Sequence, residues 1–127
     1  MISDIDIMPK NSFLDKRGAI DIYEIEKKIN FKLKRFFIVS GKKNIIRGRH
    51  AHKKCKQHLI LISGRVEITL KDKKNKKIIL LKKTGDNLYI PPLVWSSQKY
   101  LNLNSKILVL CDRTYEIDDY IKSISNL

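Results

Sequence analysis

Arg47-Gly48-Arg49-His50-Ala51-His52-Lys53 and, three residues on, Gln57-His58-Leu59-Ile60-Leu61-Ile62-Ser63-Gly64 decide how this chain is read. The second part is an unbroken apolar run of β-forming residues closed by a glycine, which is a strand signal. If the first part is also a strand, its side chains alternate between faces and His50 and His52 project on the same side. Two of the three histidines in the chain would then enter one cavity, flanked by arginines. Chemistry is expected there.

Strand signals surround this stretch on both sides. Upstream, Lys34-Arg35-Phe36-Phe37-Ile38-Val39-Ser40 is an apolar, β-rich strand ending at Gly41, and Ala19 to Glu24 alternates as a strand should. Asp15-Lys16-Arg17-Gly18 reads as a turn, Ile2 to Ile7 as a short, partly exposed strand, and Glu24 to Asn30 as a short turn or helix. Downstream, Arg65 to Lys71 alternates cleanly and pairs with Lys76 to Leu81 across a Lys/Asn tip, a hairpin. Gly85-Asp86-Asn87 is a turn before Leu88-Tyr89-Ile90-Pro91-Pro92-Leu93-Val94-Trp95, and Lys106 to Cys111 is one more buried strand. Glu116-Ile117-Asp118-Asp119-Tyr120-Ile121-Lys122 is the one helix expected. Many short strands separated by turns imply an all-β sandwich or barrel with a short C-terminal helix.

The 127 residues suit one domain, 1–127, with an ordinary apolar fraction of 43%. No apolar run approaches the roughly 20 residues of a membrane helix, so no membrane association is expected. The N-terminus carries acids where a secretory signal has basic residues. Two cysteines, Cys55 and Cys111, do not make a disulfide framework, and a reducing cytoplasm is the expected compartment. The net charge of +14 invites a nucleic-acid reading. The basic residues are mostly lysines spread along the chain, however, and runs such as Lys71 to Lys77 look like solvated hairpin tips. No nucleic-acid partner is expected.

The order of signals resembles a cupin, a small double-stranded β-helix barrel with its active site inside. The first cupin motif is matched by His50-Ala51-His52, four residues, Gln57, six residues, Gly64, with Gln where the family has Glu. The second is matched by Gly85, five residues, Pro91-Pro92-Leu93, two residues, Ser96, with Ser where the family has His. Metal cupins bind their ion through those four positions. An amide and a hydroxyl are poor ligands for a divalent transition ion, so no metal and no cofactor are expected. Two imidazoles with an ordinary pKa of about 6.5 can then act as general base and proton shuttle. The plainer alternative is a pair of core histidines satisfied by hydrogen bonds.

A narrower resemblance covers Asp15 to Ile121. Arg47-Gly48-x-His50-Ala51-His52-Lys53, Gln57, Leu88 to Trp95 and Asp118-Asp119-Tyr120-Ile121 are similar to the nucleotide-sugar 3,4-ketoisomerases. That resemblance implies a dTDP-linked 4-keto-6-deoxy sugar as substrate, converted to the 3-keto-6-deoxy hexose from which 3-amino sugars of surface polysaccharides are made. The hydrogen on C3 is acidic because it lies alpha to the C4 ketone. A base removes it, an enediol or enediolate forms, and reprotonation at C4 moves the ketone to C3. A donor must stabilise the developing oxyanion.

The same resemblance implies His50 as base and His52 as proton shuttle, with the two roles exchangeable. It implies Arg47 as a diphosphate ligand, for which an arginine fork is suited; otherwise Arg47 is a solvated strand-end charge. Gln57 is a further substrate contact or a buried amide bonded to backbone. Arg17 matches a segment that in related epimerases reaches the neighbouring subunit's nucleotide, which implies a homodimer with exchanged N-terminal strands; an ordinary turn arginine is its alternative. Tyr115 is a candidate substrate contact, and it, Tyr89 and Trp95 are otherwise core aromatics. The chain departs from the family at Phe36-Phe37, where a tyrosine is frequent, and at Arg49, which replaces an uncharged residue. A dTDP-sugar 3- or 3,5-epimerase using the same proton chemistry and a non-catalytic sugar-binding cupin remain the alternatives.

Overall fold

The computed structural model describes residues 2–24 and 31–127; the turn or helix read at Glu24 to Asn30 lies almost wholly outside them. Two antiparallel sheets face one another. The four-stranded sheet runs in the order β3 (Arg35–Gly41), β10 (Ser105–Cys111), β5 (Gln57–Ser63), β8 (Asn87–Ile90). The five-stranded sheet runs β11 (Tyr120–Ile121), β4 (Ile46–His52), β9 (Trp95–Tyr100), β6 (Val66–Lys71), β7 (Lys76–Leu81). Chain neighbours repeatedly lie in opposite sheets, giving the double-stranded β-helix barrel that the cupin resemblance implied. Ahead of it, β1 (Asn11–Asp15) and β2 (Gly18–Ile22) form a hairpin that, among the described residues, pairs with no other strand.

Alternation explains most of the strands. Along β6 the pattern of buried and half-buried residues has period two, with Val66, Ile68 and Leu70 inaccessible. These pack with Leu59, Leu61, Leu81, Leu88 and Ile107 in one core. Burying a side chain of this size contributes about 1.5–3 kcal/mol.

Three expectations are corrected. Ile2 to Ile7 is no strand: Ile2–Asp4 is a single 3₁₀ turn whose Ile2 is buried, with Ile5 buried just after it. The run after Gly85 breaks at Pro91-Pro92, which have no amide hydrogens for a ladder, and a separate strand, β9, begins at Trp95. The C-terminal helix is also absent. Ile117–Asp119 is one 3₁₀ turn, and Tyr120–Ile121 then pair with His52 and Ala51. Glu116 caps nothing with its side chain, and a seven-residue helix is too short to hold without tertiary support. Pairing with the exposed edge of β4 wins instead.

One irregularity sets the geometry of β4. Arg47 pairs with Gln98 and Gly48 with Ser97, yet the next pair is His50 with Ser96. Arg49 is an extra residue, a β-bulge, with φ of 61° after Gly48 at 86°. Any other residue at 48 would be strained at that φ, and its Cβ would lie 2.8 Å from Oε1 of Gln98. Simple alternation would put Arg47 and His50 on opposite faces. The bulge puts both on the inner face.

Candidate active site

A cavity of about 170 Å³ lies between the sheets, where the packed core gives way to β4. Phe37, Val39, Leu59, Ile107 and Val109 supply its apolar wall. Arg47, His50, Gln57, Gln98 and Tyr120 supply its polar groups. Of the residues singled out in the sequence, the fold therefore gathers Arg47, His50 and Gln57 around one space. The more open groove beyond Tyr120 is lined by Arg49, His50, Tyr115, Ile117 and Lys122, so Tyr115 lies beside the cavity but outside it. Arg17 is elsewhere, exposed at the hairpin turn and held to Asp15 by Nε and Nη2 at 3.2 and 2.7 Å.

The two histidines have different surroundings. His50 lines the cavity, and burial together with the neighbouring His52 lowers its pKa below the usual imidazole value. It is therefore neutral, and a usable base, at pH 7. His52 is 5% exposed and meets His50 edge-on, ring centroids 5.0 Å apart. Its Nδ1 lies 2.8 Å from Oδ2 of Asp119. A neutral imidazole that donates from Nδ1 has a bare Nε2, and here Nε2 is buried without a protein partner. Burial lowers the pKa of His52 as well, against the opposing pull of Asp119.

Asp119 is the residue that sequence reasoning missed. Beyond His52, its carboxylate accepts from the backbone N–H of Lys54 at 2.7 Å and of Cys55 at 3.3 Å. Burial works to raise its pKa, and these donors outweigh it, so the carboxyl stays ionised. The Asp118-Asp119-Tyr120-Ile121 run was visible as a motif, but nothing in it announces contact with a histidine 67 positions away. That contact depends on the β11–β4 pairing.

Tyr120, also unassigned from the sequence, packs against both imidazoles with its ring tilted, centroids 4.7 Å from His50 and 4.6 Å from His52. Behind it the Arg35 guanidinium lies over the rings of Phe37 and Tyr115 and 3.7 Å from Sγ of Cys111. Gln57 is buried with its Nε2 3.9 Å from the same sulfur. Of Phe36 and Phe37, only Phe37 lines the cavity. Tyr89 and Trp95 do not reach it; Trp95 donates to the carbonyl of Lys122. The third histidine, His58, is a buried structural group bonded to Asn87 at 2.7 Å.

The donor set fits a cupin metal poorly. Gln57 offers an amide tied to a thiol, Ser96 a hydroxyl that accepts from Gln98, and His52 has Nδ1 committed to Asp119. Among the described residues, His52, Cys55 and Asp119 also bring ligand atoms within 4.8 Å of one another. There the carboxylate is already occupied by three hydrogen bonds.

Comparison with known proteins places this geometry among relatives. The family described as FdtA: WxcM-like, C-terminal matches residues 3–127. The chain is 32% identical over 114 residues to the TDP-4-oxo-6-deoxy-alpha-D-glucose-3,4-oxoisomerase of Aneurinibacillus thermoaerophilus, covering 89% of this chain and 82% of that protein. It is similar to the sugar 3,4-ketoisomerase QdtA of Thermoanaerobacterium thermosaccharolyticum in complex with TDP. The TM-score is 0.90 and the identity 34%, over 99% of this chain and 93% of that one. A mutant of QdtA is known in complex with TDP-4-keto-6-deoxyglucose. A 3,4-ketoisomerase from Helicobacter canadensis is similar at TM-score 0.89 and 32% identity, covering 97% and 93% of the two chains.

Proposed function

From the fact that this chain belongs to the FdtA family, WxcM-like, C-terminal, we infer its activity. It is an isomerase, a TDP-sugar 3,4-ketoisomerase acting on TDP-4-keto-6-deoxyglucose. The observation that carries this reading in the structure is His50, a neutral imidazole in a cavity lined on one side by apolar residues and on the other by Arg47, Gln57, Gln98 and Tyr120.

His50 takes the proton from C3 of the sugar and returns one to C4. His52, oriented by Asp119, is the second imidazole of the pair and shuttles the proton exchanged between O3 and O4. Arg47, exposed at the cavity's edge on the same face as His50, holds the diphosphate by paired N–H donors. Gln57 contacts the sugar, and Tyr115 the part of the nucleotide in the outer groove. No hydride leaves the substrate, so no redox cofactor takes part. The reaction is metal-independent as well: a chelator leaves turnover intact, and activity lost to chelator and restored by zinc, iron or manganese would contradict this.

The working unit is a homodimer with exchanged hairpins. Three features support it. Phe13, Leu14 and Ile20 of the β1–β2 hairpin are all exposed. The outer face of β3 presents Phe36 and Ile38 unburied beside Leu108 and Leu110 of β10. Among the described residues, the base of the hairpin is fastened to its own barrel, through Met8 to Asn87, Lys10 to the carbonyl of Thr84 and Tyr23 to that of Gly85. Arg17, at the free tip, is then placed to reach the partner's nucleotide. The product feeds 3-amino-deoxysugar synthesis for surface polysaccharide, in the cytoplasm.

An NMR time course of the purified protein with TDP-4-keto-6-deoxyglucose tests the reading. A ketone moving from C4 to C3 supports it. A ketone that stays at C4 while a ring centre inverts marks an epimerase, and an unchanged spectrum marks a binding module.

A further inference from the structure

We propose that the Tyr120 hydroxyl is the hydrogen-bond donor that carries the charge developing on the substrate's ketone oxygen. The proposal rests on the ketoisomerase reading and assigns a role that reading leaves open. When the C3–H bond breaks, the proton goes to His50 and the electron pair forms the C3–C4 double bond. The carbonyl pair moves onto O4. A donor fixed in advance at that oxygen lowers the barrier, because it acts in a water-poor cavity and has no reorganisation left to do. The phenol keeps its proton throughout; the proton that O4 finally carries is the one released by O3.

The cavity has five polar side chains, and four are committed. His50 is occupied as base. Arg47 is at the exposed edge, on the diphosphate. Gln57 is already assigned a contact elsewhere on the sugar, with Nε2 3.9 Å from the sulfur of Cys111, and Gln98 points Nε2 at Oγ of Ser96, 3.4 Å away. Tyr120 is left. Its ring packs, tilted, against His50 and His52 and is pinned by the β11–β4 pairing, with its own N–H closing the preceding 3₁₀ turn at Ile117. The Arg35 guanidinium lies over the neighbouring rings of Phe37 and Tyr115, and its charge acts on the phenol. A guanidinium has only donors, so Arg35 leaves the phenol's own hydrogen free to point at substrate. Burial raises the phenol's pKa while Arg35 works against it, and the group is a neutral donor at pH 7. Arg35 is thus a positioning residue that polarises the phenol without touching the sugar.

Tyr120→Phe removes the oxygen and keeps the ring contacts. We expect kcat to fall about 10²–10³-fold, with KM and TDP binding changed by less than roughly threefold. Exchange of the substrate's C3 hydrogen with D₂O should fall in parallel with ketone migration. Turnover within roughly threefold of the parent, or a loss expressed wholly in KM, would overturn the proposal. Should that variant not fold, a fluorotyrosine at position 120 keeps shape and hydroxyl while making the phenol more acidic. The alkaline limb of kcat must then move to lower pH, and an unmoved limb would overturn the proposal equally. The parent protein in the same assay separates the two claims. An inactive parent removes the ketoisomerase reading and this proposal with it; an active parent beside an equally active Tyr120→Phe removes only the role of Tyr120.

Discussion

The barrel around His50 and the N-terminal hairpin are built on opposite terms. Inside the barrel, apolar side chains are covered and the buried polar ones are mostly tied: His58 to Asn87, His52 to Asp119, Asp119 to two backbone amides. On the hairpin every residue of β1 is exposed, and its ion pair between Arg17 and Asp15 stands in water, where such pairs are worth little. The barrel is complete within one chain; the hairpin has a ladder and no core. A β-hairpin with an apolar face is at best marginal alone, and the proposed dimer would place a second copy against this one. The site divides in the same way. On the proposed dimer, the base and its support come from one chain, and Arg17 serves the other.

The sharpest test of the barrel side is His50→Asn. Fold and TDP binding should persist, and turnover should fall about 10²–10⁴-fold, the contribution of a general base. Next comes Asp119→Asn. The amide turns an N–H toward a group that must donate, and two backbone amides lose a charged acceptor. Stability to denaturant should drop by about 2–3 kcal/mol, and turnover should fall with it as His52 loses its fixed tautomer. Unchanged stability would mean the pair contributes nothing net.

Arg47→Ala tests the boundary between the two regions, because this residue is set on the inner face by the bulge yet is exposed. Calorimetry should show TDP binding weakened by about 1–3 kcal/mol, and parent binding should weaken as salt rises. Unchanged binding removes Arg47 from the site. The smallest effect on the barrel itself is expected from the hairpin. Phe13→Ser with Leu14→Ser should shift the protein from dimer to monomer in sedimentation while changing monomer stability by about 0.5 kcal/mol or less. A variant that stays dimeric, or a barrel that unfolds, would break the comparison.

How much could be read in advance follows the same division. Strands whose alternation is imposed by a core, such as β6 with Val66, Ile68 and Leu70, were legible because burial and periodicity agree. His50, Gln57 and Arg47 were legible as motif positions. Their meeting in one cavity was not, because Arg47 and His50 share a face only through the bulge at Arg49, and a positive φ at an arginine leaves no mark in the residue pattern. The terminal helix misled for a related reason. Local spacing of Ile117, Tyr120 and Ile121 suits a helix, but an unpaired edge on β4 offered backbone hydrogen bonds that a single turn could not match. With that helix went the only view of Asp119 beside His52.

The central claim is that His50 moves the proton between C3 and C4, and the fate of solvent hydrogen tests it most directly. With TDP-4-keto-6-deoxyglucose in D₂O, the parent protein should yield 3-keto product carrying deuterium at C4, read by NMR and mass. His50→Asn, shown by calorimetry to bind TDP as the parent does, should incorporate almost none in the same time. Deuterium appearing at C4 at the parent's rate in that variant would place the base elsewhere and contradict the account.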